Sequence, residues 1–369
     1  MKRSVFEEFR NRDLVRGLAE RIRHLAEGRT NPMTFMEVCG THTMSIYQYG
    51  IRTLLPAGVR LISGPGCPVC VTPVGYVDRA VACARLPETI TATFGDMMRV
   101  PGSSSSLLEE RAKGADIRIV YSPLDALSLA ERNPGKRVVF LGVGFETTAP
   151  TVAATLITAR SRRVGNFSVL SAHKTIPNPM RILSSDPDLG IDGFLCPAHV
   201  SAVIGADAYR FLAEEHGVPC VVTGFEPADI LQGVAMLARQ VTEGRSAVEN
   251  EYSRFVTPGG NARAQELLSR VFVSADTAWR GLGVIPESGL EIAEEFTEFD
   301  AEKVVPVRVE EPREPEGCLC GEVLKGKIAP ADCPLFASAC TPEQPVGACM
   351  VSSEGSCSAA YRYGRSEWS

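Results

Sequence analysis

The sequence has neither a long hydrophobic run nor a strong excess of one charge. Its 369 residues include 38 lysines and arginines against 44 aspartates and glutamates, which gives a net charge of −6. This mild acidity gives no electrostatic reason to expect a nucleic-acid surface. Apolar stretches such as 138–145 are far shorter than the roughly 18 residues needed to span a bilayer. The charged amino terminus lacks the apolar region of a signal peptide, so we expect a cytoplasmic protein without a membrane partner.

Nucleotide-binding signatures are also missing. The segment GVGFETTAP at 142–150 begins a glycine-containing turn after an apolar run, but it lacks the full dinucleotide fingerprint and a P-loop lysine. We therefore reject nucleotide binding as the leading interpretation. Glu146, near the predicted strand end, is kept as a candidate base or supporting residue.

What the sequence does show is a regular alternation of strand-like and helix-like segments. Apolar runs end in glycine, proline or polar turns and are followed by helical patterns, which predicts parallel sheets with helices on both faces. The tripeptide Gly-Phe-Glu occurs at 144–146 and again at 224–226, each time after an apolar run. We predict two similar α/β domains and a small third domain, over residues 1–130, 131–300 and 301–369.

Twelve cysteines are the unusual feature of the composition. In a reducing cytosol, clustered cysteines indicate metal or redox chemistry more often than disulfides. Half of them follow a proline-rich, charged linker at 300–317, in a segment with too little core to fold without a metal or cross-links. These six are Cys318, Cys320, Cys333, Cys340, Cys349 and Cys357.

The spacing of these six cysteines favours an iron–sulfur cluster. None of them forms the CxxC pair that is typical of zinc modules. Thiolate-only ligation suits an iron–sulfur cube, which takes four cysteines and here leaves two as a neighbouring thiol pair. Spacing alone does not identify the four ligands, and structural zinc or buried free cysteines are the alternatives.

Two further segments place cysteines between a predicted strand and a predicted helix. Cys67 and Cys70, within 63–73, have the CxxC spacing that allows a disulfide or metal ligation; two idle thiols in a buried turn are the alternative. Cys39 and His42 are three residues apart, the spacing of one helical turn, which chemistry and packing explain equally well. Because ligands of parallel sheets bind at the carboxyl ends of strands, the two segments can meet there.

The remaining histidines and cysteines of interest fit packing roles better than chemistry. His173, Lys174 and His199 follow predicted strands, but an isolated histidine is more often a satisfied core residue. Cys83 and Cys220 are interpreted as core residues as well.

Four motifs together carry a resemblance to a known family. CGTHT at 39–43, GPGCPVC at 64–70, GFETTAP at 144–150 and the segment 340–365 resemble, in order, the HypD family of [NiFe] hydrogenase maturation proteins. The resemblance implies two Rossmann-like α/β domains and a small iron–sulfur domain. It implies an assembly scaffold, more than a conventional turnover enzyme, on which iron acquires two cyanides and one carbon monoxide. HypC is the implied partner chaperone, with cyanide arriving from HypE after synthesis with HypF.

The resemblance also implies roles for individual residues. Cys39 is the implied thiolate for the iron, His42 belongs to the same motif, and Cys67 and Cys70 form a redox couple beside the iron. The implied ligands of a [4Fe–4S] cluster are Cys318, Cys333, Cys340 and Cys357, and the implied neighbouring thiol pair is Cys320 and Cys349.

The implied chemistry is physically consistent. Soft thiolates suit an electron-rich iron(II) that carries cyanide and carbonyl. Reductive loading needs electrons, which a cluster and thiol pairs can relay. Transfer to a partner requires an open site, which we expect at a cleft between domains. The alternatives are a cluster-containing thiol–disulfide oxidoreductase that acts through Cys67 and Cys70, and a pure electron-transfer module, which leaves Cys39 and His42 unexplained.

Overall fold

A computed structural model describes residues 10–364 of the chain. In that range the strands are β1 Met33–Glu37, β2 Val59–Ser63, β3 Thr89–Thr93, β4 Asp116–Ile119, β5 Arg137–Gly144, β6 Phe167–His173, β7 Gly193–Pro197, β8 Cys220–Thr223, β9 Val248–Asn250, β10 Phe272–Trp279 and β11 Gly283–Ile292. The α-helices are α1 Arg12–Ala26, α2 Gly40–Gln48, α3 Ile51–Leu54, α4 Pro68–Val71, α5 Val74–Ala84, α6 Leu107–Ala112, α7 Pro123–Arg132, α8 Ala149–Ser161, α9 Pro177–Ser184, α10 Ala198–Ile204, α11 Arg210–Glu215, α12 Pro227–Thr242, α13 Ala262–Val271, α14 Ala301–Val304, α15 Cys320–Leu324 and α16 Ser356–Tyr363. Within these residues no helix has the length and apolarity that a membrane span requires.

Two parallel sheets organise the chain. The first has the strand order β2-β1-β7-β8-β9 and the second the order β4-β3-β5-β6, and every pairing in both is parallel. A separate antiparallel hairpin is formed by β10 and β11. The α/β class with two parallel sheets is therefore confirmed, whereas the hairpin is not among the predicted elements.

Strand burial explains the sheet order. All five residues of β1 are buried, as expected for a strand covered by helices on both faces. The edge strand β2 instead alternates, with Val59, Leu61 and Ser63 buried and Arg60 exposed. A strand that is buried on both faces is most stable in the interior of a sheet, and β1 lies there, between β2 and β7.

The sheets do not divide the chain at residue 130. Strand β1 pairs with β7 through the Phe35–Gly193 register, so the first sheet combines strands from both ends of the α/β region. The second sheet uses the intervening strands β3 to β6, which lie on both sides of the predicted boundary. Local patterns predict that a strand exists, but its neighbours depend on burial across the whole sheet.

The cysteine-rich segment is built onto the α/β core. The predicted linker at 300–317 includes α14, whose N-cap is Asp300, and no helix or strand is assigned to residues 305–319. Beyond it, Cys320, Cys349 and Cys357 belong to the same apolar cluster as Met36 of β1. The predicted third domain therefore shares its core with the first sheet.

This topology predicts that a fragment of residues 1–130 does not fold cooperatively. It would leave β1 without β7 and β3 without β5, which exposes unpaired backbone groups along one edge of each of these interior strands. Urea unfolding of the fragment, followed by circular dichroism, should show no sigmoidal transition, whereas the full chain should show one. A cooperative transition in the fragment would contradict the observed strand order.

Candidate metal and thiol site

The Cys39 turn, residues 38–43, follows β1 and includes the first turn of α2. The Cys39 side chain is only 2% exposed. Its backbone N–H donates to Glu37 Oε2 at 3.0 Å, and the Thr43 hydroxyl donates to the other oxygen of the same carboxyl group. Burial raises the pKa of Glu37 to about 7. This buried carboxyl group holds both ends of the turn that carries the thiol.

His199 faces the Cys39 thiol. It lies at the start of α10, directly after β7, and its Nε2 is 3.7 Å from Cys39 Sγ. Adjacent parallel strands bring their carboxyl ends together, which is why two residues so distant in sequence meet here. Burial lowers the pKa of His199 to about 4, so the ring is neutral and can donate a lone pair.

His42, the predicted partner of Cys39, is held elsewhere. Its Nε2 donates to the Gly224 carbonyl at 2.9 Å, and its ring lies 4.8 Å from the Phe225 ring. Cys39 is the N-cap residue, with an extended backbone (φ −150°, ψ 124°), so the one-turn spacing rule for helical residues does not apply to this pair. The structure therefore brings Cys39 to His199, a residue assigned to packing from sequence. The position of His199 directly after a predicted strand is the sequence feature that could have identified it as a site residue.

The CxxC turn, residues 64–70, is locked against the Cys39 turn. The Gly40 N–H donates to the Gly66 carbonyl at 2.9 Å. A Cβ atom on Gly66 would lie 2.0 Å from the Cys39 backbone nitrogen, closer than any side chain permits. Only glycine therefore fits at this position, and the contact places Cys67 beside the Cys39 peptide.

The CxxC pair connects this turn to the C-terminal segment, residues 318–364. Cys67 Sγ accepts a hydrogen bond from the Cys70 N–H at 3.3 Å, and Cys67 is the N-cap residue of α4. The Cys70 thiol donates to the Ala348 carbonyl at 3.9 Å and contacts the Cys349 thiol. Burial raises the pKa of Cys70 well above its ordinary value. The Cys70 thiol is therefore neutral, and it faces the C-terminal segment.

All six C-terminal cysteines line one pocket, which we call the cysteine pocket. Cys320 Sγ and Cys349 Sγ are 2.8 Å apart, and Cys349 also contacts Cys70. A Cβ on Gly347 would lie 2.6 Å from Cys318 Sγ, so this glycine makes room for the thiol. The pocket is lined by Cys318, Cys320, Cys333, Leu335, Phe336, Cys340, Gly347, Cys349, Met350 and Cys357.

The lining of the cysteine pocket fits an iron–sulfur cluster. Its donors are thiols alone, surrounded by apolar side chains, and thiolates are the usual ligands of such clusters. Within residues 10–364, no group of three or more His, Cys, Asp or Glu side chains is arranged around a single metal ion. A [4Fe–4S] cluster requires a different arrangement of ligands, because each of its four irons is bound by a separate thiolate.

The Cys39 site is closed, unlike the open cleft expected from sequence. Cys67 is 3% exposed and Cys39 is similarly buried. The Thr41 hydroxyl donates to Glu354 Oε1 at 2.7 Å, and a Cβ on Gly40 would lie 2.5 Å from the Glu354 Cβ. The C-terminal segment therefore covers the Cys39 turn, and access to the thiol requires this contact to open.

Glu146 supports the loop that carries Ile176. Its Oε1 accepts a hydrogen bond from the Ile176 N–H at 2.8 Å, between β6 and α9. Its Oε2 is buried and has no hydrogen-bond partner among the described residues. His173 and Lys174 lie on the same side of the second sheet, where the Lys174 ammonium donates to the Ala278 carbonyl at 2.7 Å.

Gly66→Ala should destabilise the protein by about 2–3 kcal/mol, because the added methyl group overlaps the Cys39 backbone. Gly165→Ala is the control, since nothing lies within 4 Å of a Cβ at that position. Its free energy of unfolding should stay within about 0.5 kcal/mol of wild type. Urea denaturation measures both, and a Gly66→Ala curve that overlies the wild-type curve would show that the two turns tolerate separation.

Glu146→Gln should change the pH dependence of stability. Burial raises the pKa of Glu146 from 4.5 to about 7, so the folded state binds its proton more tightly than the unfolded state. The wild-type free energy of unfolding therefore falls as pH rises through this window, and the Gln variant lacks that loss. Relative to wild type, the variant should gain about 2–3 kcal/mol from about pH 5 to about pH 8. Glu214→Gln, at an exposed position, should run parallel to wild type in the same urea experiment.

Comparison with known proteins gives a consistent result. A family model described as HypD, Hydrogenase formation hypA family, matches residues 13–364. Hydrogenase maturation factor HypD of Escherichia coli K12 is 51% identical over 359 residues, covering 96% of this chain and 95% of the relative. The protein of the same name from Rhodobacter capsulatus is 49% identical over 366 residues, covering 97% of each chain. With matches that extend over nearly its whole length, the chain belongs to the HypD family of hydrogenase maturation factors.

Proposed function

We propose that this chain is the scaffold on which an iron ion receives two cyanides and one carbonyl, in a complex with a HypC-type chaperone. The observation that carries the proposal is the position of Cys39 against His199, with the CxxC turn and the cysteine pocket directly behind them. The iron is the substrate of this scaffold and leaves with its ligands.

Cys39 and His199 are a suitable pair of donors for that iron. A thiolate sulfur and an imidazole nitrogen bind a metal at about 2.3 and 2.1 Å, so one iron can bind both side chains across their 3.7 Å separation after a small movement. Burial, and then the charge of Glu354, raise the pKa of the Cys39 thiol, so it is neutral in the closed site and releases its proton when iron binds. Two donors from this chain leave positions on the iron for cyanide, carbonyl and a ligand from the chaperone.

The thiols behind Cys39 form a route for electrons. Oxidation of Cys67 and Cys70 to a disulfide releases two electrons and two protons, and the contact of Cys70 with Cys349 joins this pair to the cysteine pocket. A [4Fe–4S] cluster in that pocket would supply electrons one at a time. The family resemblance assigns its ligands as Cys318, Cys333, Cys340 and Cys357, and the contact between Cys320 and Cys349 is consistent with these two as the neighbouring thiol pair.

Partner binding must open the closed site. HypE would deliver cyanide, HypF would act indirectly in its synthesis, and the complex would work in the cytoplasm. Each partner needs a path to Cys39, and the Thr41–Glu354 hydrogen bond lies across it. The competing function, a general thiol–disulfide oxidoreductase, is disfavoured because both thiols of the CxxC turn are buried and a protein disulfide could not reach them.

Infrared spectroscopy of the complex, purified anaerobically with its chaperone, tests this proposal. The wild-type complex should show cyanide and carbonyl stretching bands. Cys39→Ala and His199→Ala should each lower their intensity at least about tenfold, because each removes a donor atom, while Cys39→Ala costs only about 1–2 kcal/mol of stability. His216→Ala, remote from the site beside Ser184, should retain the bands.

Each outcome has a distinct meaning. Bands at wild-type intensity in Cys39→Ala would exclude this thiol as the ligand and favour Cys67 or Cys70. Bands at wild-type intensity in His199→Ala alone would leave the scaffold function in place but remove the imidazole from the iron. Absence of bands from the wild-type complex would contradict the proposed function.

A further inference from the structure

Arg280 is a buried cation at an unusual position. It lies at the tip of the hairpin between β10 and β11, where side chains are normally solvated, yet it is only 3% exposed. A guanidinium keeps its charge in a protein, so its burial must be offset by acceptors or anions.

One side of Arg280 holds the CxxC helix. Its backbone N–H donates to the Val71 carbonyl at 2.9 Å, and its Nε donates to the Thr72 carbonyl at 2.9 Å. Both carbonyls lie at the end of α4, the helix that begins after Cys67. Arg280 therefore fixes the end of this helix through two hydrogen bonds.

The other side of the hairpin tip touches the cysteine pocket. A Cβ on Gly281 would lie 2.3 Å from the Gly321 Cα, so the tip packs directly on α15, whose first residue is Cys320. The pKa of the nearby Cys318 is raised chiefly by its hydrogen bond to Cys320 and by burial, and the charge of Arg280 opposes both effects. Arg280 thus lies between the CxxC turn and the pocket.

The terminal nitrogens of Arg280 lack hydrogen-bond partners. Nη1 and Nη2 are both buried without an acceptor among the described residues. The Glu314 carboxylate is 3.6 Å from Nη1, too far for a hydrogen bond, and its side chain is 57% exposed. A buried donor left unpaired is destabilising, because it has lost its hydrogen bonds to water without gaining others. A negatively charged group on the Cys318 side would remove this cost.

We propose that Arg280 is a positioning residue that offsets the negative charge of the cysteine pocket, donating from Nη1 and Nη2 toward sulfur on its Cys318 side while Nε holds the CxxC helix. This inference rests on the proposed function, because it assigns the charge to an iron–sulfur cluster held by the pocket thiolates. A positive charge beside a cluster stabilises its reduced, more negative state and therefore raises its reduction potential.

Reductive titration of the full chain, purified anaerobically and followed by visible absorbance, tests the inference. Arg280→Met should shift the reduction equilibrium at least tenfold toward the oxidised cluster. For a one-electron couple, this shift lowers the reduction potential by about 59 mV. Arg280→Lys, which keeps the charge, should stay within about threefold of wild type. Arg99→Met is the matched control, because Arg99 also binds the C-terminal segment, donating to the Pro342 and Val351 carbonyls at 2.7 and 3.4 Å.

The controls separate the possible failures. If the wild-type protein holds no iron–sulfur cluster, the proposed cluster and this inference fail together. A cluster with wild-type potential in Arg280→Met, or an equal shift in Arg99→Met, overturns only the role of Arg280. If Arg280→Met fails to retain iron, Arg280→Lys decides: retention at wild-type potential supports charge compensation, and loss of iron overturns it.

Discussion

The close contact between Gly66 and the Cys39 peptide is the constraint on which the site depends. The Cys39 turn follows β1, the CxxC turn follows the neighbouring strand β2, and no side chain fits between them. Because the two backbones touch at Gly66, Cys67 lies beside the Cys39 peptide, and no additional contact is needed to bring the two turns together. The hydrogen bond from Gly40 to Gly66 then fixes the register of the two turns.

The C-terminal segment completes the site from the opposite side. Glu354 covers Gly40, and Cys349 contacts Cys70, so the segment closes over both turns at once. Its own core is small, and it gains stability by sharing apolar contacts with the first sheet. The same packing that buries the thiols therefore also ties the cysteine pocket to the α/β core, which suits the proposed movement of electrons between them.

Burial sets the chemistry of the resting site. Glu37 has a raised pKa and His199 a lowered pKa, both because burial disfavours their charged forms. Cys39 is likewise held as a neutral thiol. In the closed protein the Cys39 thiol and the His199 imidazole are therefore both uncharged. A metal ion that binds between them would supply the positive charge that stabilises the Cys39 thiolate. Metal entry, proton release and opening of the Glu354 contact are therefore linked steps in the proposed function.

The sequence by itself determined the α/β class, the positions of the cysteine-bearing turns and the family, because each depends on local patterns or on motifs of a few residues. The tertiary structure decided which strands are neighbours, and so placed β7 beside β1 and His199 against Cys39. The expected pairing of Cys39 with His42 assumed helical geometry, whereas Cys39 has an extended backbone at the N-cap. Partners more than a hundred residues apart are chosen by burial and packing over the whole molecule, and no local spacing contains that information.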